Sequence, residues 1–114
     1  MWKAVETQNR GVLSVAVDSK GRPAITEYGK PYHIFYQWKD QVWDEIKACS
    51  YVIDFGQGDK LYRLGCDDFV YQTKDFDLWE KLGKRKAYMM SATSDAVWIL
   101  DKISRLPYVF DQKS

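Results

Sequence analysis

The chain has 114 residues, of which 46% are hydrophobic and 29% charged, and its formal net charge is +1. This is globular composition, since disorder needs fewer apolar residues and a stronger net charge, and no global field favours nucleic acid or an anionic membrane. The length fits a single domain over 1–110 with a polar tail at 111–114.

The first 38 residues read as β. Met1–Glu6 alternates, with Trp2, Ala4 and Glu6 on one side and Lys3 and Val5 on the other. Asn9-Arg10-Gly11 is a turn signal, and Val12–Val17 is a β-branched, apolar strand. After the turn Asp18–Pro23, residues 24–28 predict a strand that returns as a hairpin. Residues 32–38 read as a central strand, because both faces (Tyr32, Ile34, Tyr36 and Trp38 against His33, Phe35 and Gln37) are largely apolar.

The period then changes. Asp40 is a helix cap, and Val42, Trp43, Ile46 and Cys49 fall at helical spacing, which predicts a helix over about 40–49. Tyr51–Phe55 predicts a strand, Gly56–Asp59 a turn, 60–64 a returning strand and 68–72 a third one. Thr73 or Asp75 caps a short helix carrying Phe76, Leu78, Trp79 and Leu82 and stopped by Gly83. Residues 87–90 predict a strand. Residues 95–106 predict a helix, with Ala96, Val97, Ile99, Leu100, Ile103 and Leu106 as its stripe and Pro107 as its end. Tyr108–Phe110 predicts a last edge strand. No internal repeat is evident. The expected fold class is therefore α+β: a mainly antiparallel sheet of about five to seven strands packed with two to three helices in one compact domain.

Chemistry-bearing residues are few. His33 is the only histidine, and nothing in the spacing selects a nucleophile or an acid to work with it. An enzyme built on His33, Cys66 and an aspartate is thus the weakest reading. Cys49 and Cys66 are too few for a disulfide scaffold and lack paired-thiol spacing for a metal, so they are expected as reduced, buried, small hydrophobes. No cofactor and no metal are expected. Gly56-Gln57-Gly58-Asp59 lacks the third glycine of a phosphate loop, and Asp59 would repel phosphate. Asp67 and Asp68, with Asp75 and Asp77, form the densest acidic cluster, suited to a basic partner.

Binding has more support. Eighteen residues are aromatic (five Trp, eight Tyr, five Phe), and Trp and Tyr dominate protein–protein contacts. Charge is polarised: residues 1–40 carry +2, 41–82 carry −4 and 83–114 carry +3. The expected function is a small binding protein that modulates or inhibits another protein by contact, through Trp79, Trp98, Tyr88, Asp67 and Asp68. The alternative is a single-stranded RNA or DNA module stacking bases on Tyr32, Tyr36 and Trp38, with phosphates on Lys84, Arg85 and Lys86. Small size, many rings and missing motifs resemble short accessory proteins of phages and mobile elements. No signal peptide and no membrane span are evident, so the expectation is a soluble, cytoplasmic monomer or homodimer.

Overall fold

Eleven strands and no α-helix make up residues 1–39 and 42–111 of a computed structural model, which describes these residues and, of Asp111, the backbone alone. β1 (Val12–Val17), β2 (Pro23–Glu27), β3 (Ile34–Lys39) and β4 (Val42–Ile46) form a first antiparallel meander. β5 (Ser50–Phe55), β6 (Leu61–Gly65), β7 (Val70–Thr73) and β8 (Glu80–Lys81) form a second, and β9 (Ala87–Ala92), β10 (Ala96–Asp101) and β11 (Pro107–Asp111) a third. In every sheet each strand pairs with its neighbour in the chain.

The three sheets are repeats of one unit, which corrects the expectation that the chain has none. Their first strands begin at residues 12, 50 and 87, offsets of 38 and then 37 residues. A four-stranded antiparallel meander, as in the first two sheets, is also the unit from which propeller blades are built. The first strands lie side by side, β1 against β5 and β5 against β9. The Ile53 amide donates to Ser14 Oγ at 3.3 Å and the Ala92 amide to Asp54 Oδ2 at 2.8 Å, which ties each sheet to the next.

Two cores fill the spaces between sheets. Ala16, Ala24, Ile34 and Tyr36 of the first sheet meet Ile53, Phe55 and Leu61 of the second. Tyr62, Leu64 and Val70 of the second sheet meet Ala87, Met90 and Val97 of the third. Alternation explains how the second sheet serves both: Leu61 faces one core and Tyr62 the other. Each fully buried side chain of this size contributes about 1.5–3 kcal/mol.

The α+β expectation is thus overturned at each of its three helices. Residues 42–46 are β4, the return strand of a hairpin with β3, while Asp40 lies outside the described residues. Residues 73–79 are a turn held by Thr73 and Asp75, followed by β8. Residues 96–101 are β10, a turn follows, and β11 returns. The expected hairpins of 12–28 and 51–72 and the strand at 87–90 are present. Residues 1–6, expected as a strand, belong to no sheet, and Met1 and Trp2 are fully exposed.

The cysteines also differ from expectation. Cys49 and Cys66 form a disulfide with their Cα atoms 5.5 Å apart, inside the range such bonds span. The bridge joins the link before β5 to the residue after β6, where the Cys66 amide also donates to the Cys49 carbonyl at 3.1 Å. No helix of the described residues is long and apolar enough to cross a membrane.

Candidate functional site

The three first strands share a defect, and the defect builds a cleft. The pairing of β1 with β2 skips Leu13, that of β5 with β6 skips Tyr51, and that of β9 with β10 skips Tyr88. Each is the extra residue of a β-bulge, a device that re-aims a side chain at the expense of one rung of the ladder. The three bulges occupy equivalent positions in the three repeats. All three side chains therefore line one open cleft of about 640 Å³, together with Ser14, Val52 and Met89. Asp68 and Lys102 lie in its wall as an ion pair. Tyr32 packs edge-on against Tyr51, with ring centres 5.4 Å apart, and the Arg105 guanidinium lies 4.6 Å from the Tyr88 ring centre. The lining is apolar and aromatic, with charge at its border.

Elsewhere on the second and third sheets, cations lie over rings. Arg63 sits 4.2 Å from the Tyr71 ring centre and 4.6 Å from that of Trp79, and donates to the Cys49 carbonyl at 3.0 Å. Burial pulls the Arg63 pKa down against the opposing influence of Tyr71 and Asp67. Asp67 accepts hydrogen bonds from the Tyr71 hydroxyl and, at 3.1 Å, from the Phe69 amide. Burial acts to raise the Asp67 pKa, but these bonds outweigh it and hold the carboxyl below its ordinary value. Lys81 lies 3.9 Å from the Phe69 ring centre, and Arg85 lies 3.7 Å from that of Tyr108.

Of the residues singled out in the sequence, Tyr88 and Asp68 meet in the cleft. Asp67 stands at the neighbouring turn, bound to Tyr71. Trp79 is half-buried, packed against the core between the first two sheets and under Arg63. Trp98 is exposed, but on the far face of the third sheet. The other lining residues, Leu13, Tyr51, Met89 and Lys102 among them, were missed by sequence reasoning and come together only once the repeat is seen.

The residues of the nucleic-acid alternative are distributed differently. Tyr36 is buried, with its hydroxyl on Asp18 Oδ2 at 2.6 Å. Trp38 is half-exposed and shares a depression with Asp44 and Glu45 rather than with lysines. Lys84, Arg85 and Lys86 border a different depression with Phe69 and Asp101, on the side of the third sheet. His33 Nδ1 lies 3.1 Å from Glu45 Oε2, and Cys66 is held in the disulfide, where its sulfur is no free thiol. Among the described residues, no cluster of three or more His, Cys, Asp or Glu is placed to hold a metal ion.

No known protein family matches the chain, and no curated protein matches it.

Proposed function

We propose that the chain is a binding module that acts on another protein by contact, modulating or inhibiting it, and that the cleft along β1, β5 and β9 is where contact is made. The observation that carries this reading is the set of three equivalent bulges that turn Leu13, Tyr51 and Tyr88 toward one opening. Three bulges at one level of three strands sacrifice ladder hydrogen bonds together, and a leucine and two tyrosine side chains turned to one opening are what that sacrifice provides. Tyrosines offer a large rigid contact area and a hydroxyl, at low cost in side-chain entropy. The Asp68–Lys102 pair at the border gives an incoming chain both signs of charge to register against.

The test compares wild type with the double variant Tyr51→Ala and Tyr88→Ala as baits, with and without nuclease. A protein retained by wild type after nuclease and lost by the variant supports the reading. Capture that disappears with nuclease favours the single-stranded nucleic-acid alternative instead. Identical capture by both baits removes the cleft from consideration.

A further inference from the structure

Each end of the three-sheet stack exposes apolar side chains. On the first sheet, Val15 and Val17 point away from the second sheet, opposite Ala16, and both are more than half exposed, while Ile25 and Phe35 farther across the same face are buried, with the Arg10 guanidinium 3.9 Å from the Phe35 ring centre. On the third sheet, Met89, Trp98, Leu100 and Val109 share the face opposite Met90 and Val97, which pack on the second sheet. Stacked repeats ordinarily finish in a polar outer face, whereas the third sheet and the Val15–Val17 side of the first leave apolar side chains uncovered.

The third sheet is also a strand short among the described residues. The first two sheets have four strands, the third has three, and the outer edge of β11 is unpaired. In the chain, the fourth strand of a sheet immediately precedes the first strand of the next: β4 begins eight residues before β5, and β8 seven before β9. The same offsets before Val12 fall on Ala4 and Val5, in the alternating segment that belongs to no sheet. That segment lies against the first sheet, since the Trp43 indole donates to the Glu6 carbonyl at 3.2 Å. Ile46 of β4 lies against the second sheet in the same sense.

We infer that a second copy of this chain completes the stack. The third sheet of one copy packs on the first sheet of the other, and the segment around Ala4 and Val5 of the second copy adds to β11 as its fourth strand. Repeated by a two-fold axis, the two contacts are identical and close a ring of six sheets, within the four to eight that such rings hold. The ring places Leu13, Tyr51 and Tyr88 of both copies around one central opening, of which the cleft is half. The inference does not depend on what the cleft binds.

Sedimentation or light scattering of the full chain from about 1 to 100 µM tests it, since assembly follows mass action. The expected species is a dimer. Trp98→Lys, a change at a half-exposed position, places a charge in the proposed interface. Ala4→Pro with Val5→Pro removes two successive amide donors, one of which faces β11 in either register. Each variant should weaken the dimer at least tenfold while the monomer keeps a dispersed amide NMR spectrum. If Trp98→Lys disturbs the fold, the proline variant, which lies outside every sheet, still decides. A wild-type monomer at every concentration overturns the inference, as does an open polymer or a dimer that ignores both variants.

Discussion

Tyr51 and Tyr88 occupy the same place in successive repeats: each is the extra residue of a bulge in the first strand of its sheet, and both rings line one cleft. Such a position is built for presentation rather than for packing. Tyr88 is about half exposed, whereas Tyr62, one rung inside the second core, has no exposure. Tyr88→Ala should therefore change the unfolding free energy by less than about 1 kcal/mol, and Tyr62→Ala should cost about 3–5 kcal/mol. Urea titrations of the two variants check the contrast. A large loss at Tyr88 would make it a packing residue and weaken its assignment to contact.

The Asp18 carboxylate is the main polar anchor of the first sheet. It accepts from Tyr36 Oη at 2.6 Å, Arg22 Nε at 2.9 Å and the amides of Lys20 and Arg22 at 2.9 and 2.8 Å. Asp18→Ala leaves the buried Tyr36 hydroxyl and two turn amides without their acceptor, and should cost about 2–4 kcal/mol. Tyr36→Phe removes one bond and should cost about 1 kcal/mol. Thermal melts of both variants should show this order.

The same pair dictates two pH limits. Burial acts to raise the Asp18 pKa, but the bonds from Tyr36, Arg22 and Lys20 outweigh it and leave the pKa below its ordinary value. A depressed carboxyl pKa stabilises the fold above the unfolded value, near 4, and that contribution fades as pH falls through it toward the folded value. For Tyr36, burial first and then its bond to Asp18 raise the pKa to about 12 from 10.0. This contribution is complete below pH 10 and is lost between there and about pH 12, a change of order 2–3 kcal/mol. Tyr36→Phe should flatten the alkaline limb of a stability–pH curve, and an unchanged limb would assign that loss to other groups.

Much of this architecture was legible and some was hidden for a definable reason. The turns at Asp18–Pro23 and Gly56–Asp59 and the β-branched run Val12–Val17 marked the first two hairpins. The stretch 96–101 misled because both faces of β10 are apolar: Val97 and Ile99 face the second sheet, while Trp98 and Leu100 face outward. A strand filled on both faces loses its two-residue period and matches a helical stripe by accident. Val97, Trp98 and Ile99 are nonetheless β-favouring residues, and their types were the better guide. The repeat was hidden because its equivalent positions differ in identity, Leu13 against Tyr51 and Tyr88. The cleft followed it out of view, since it is made of residues about 38 apart. Tyr88 is legible as an aromatic in a short predicted strand and Asp68 as a member of the acidic cluster. Tyr51 carried the same signal but was absorbed into an apolar strand.

The disulfide gives a prediction of its own. It bridges positions 17 residues apart, and closing a loop of that size in the unfolded chain corresponds to about 3 kcal/mol. Reduction, or Cys49→Ala with Cys66→Ala, should lower the guanidinium midpoint accordingly. Arg63 donates to the Cys49 carbonyl and spans Tyr71 and Trp79, so the reduced protein should keep its fold and lose stability rather than collapse. A midpoint unaffected by reductant would mean that the thiols are not bridged in solution.

Gly56 closes the turn from β5 toward β6 where two sheets meet. A Cβ there would stand 2.6 Å from Tyr62 Cε2, closer than real Cβ atoms approach, and 3.0 Å from the Thr93 carbonyl oxygen, a tight contact. Neither neighbour can yield easily. The Tyr62 ring is wholly buried in the second core, and the Thr93 amide is paired to the Ala96 carbonyl at 2.9 Å in the turn between β9 and β10. The backbone at Gly56 has φ −133° and ψ −144°, so the demand on this glycine comes from close approach rather than from a left-handed conformation. Gly56→Ala should then push the second and third sheets apart and cost about 1–3 kcal/mol, as overpacking does. Gly21 is the control: its φ of +79° strains any replacement, but its added Cβ meets nothing within 4 Å. Gly21→Ala should cost about 1 kcal/mol through backbone strain alone and leave the amide spectrum of the third sheet unchanged, while Gly56→Ala should shift resonances from Thr93 to Val97. Equal perturbation of that segment by both variants would remove the contact between Gly56 and the third sheet as the cause.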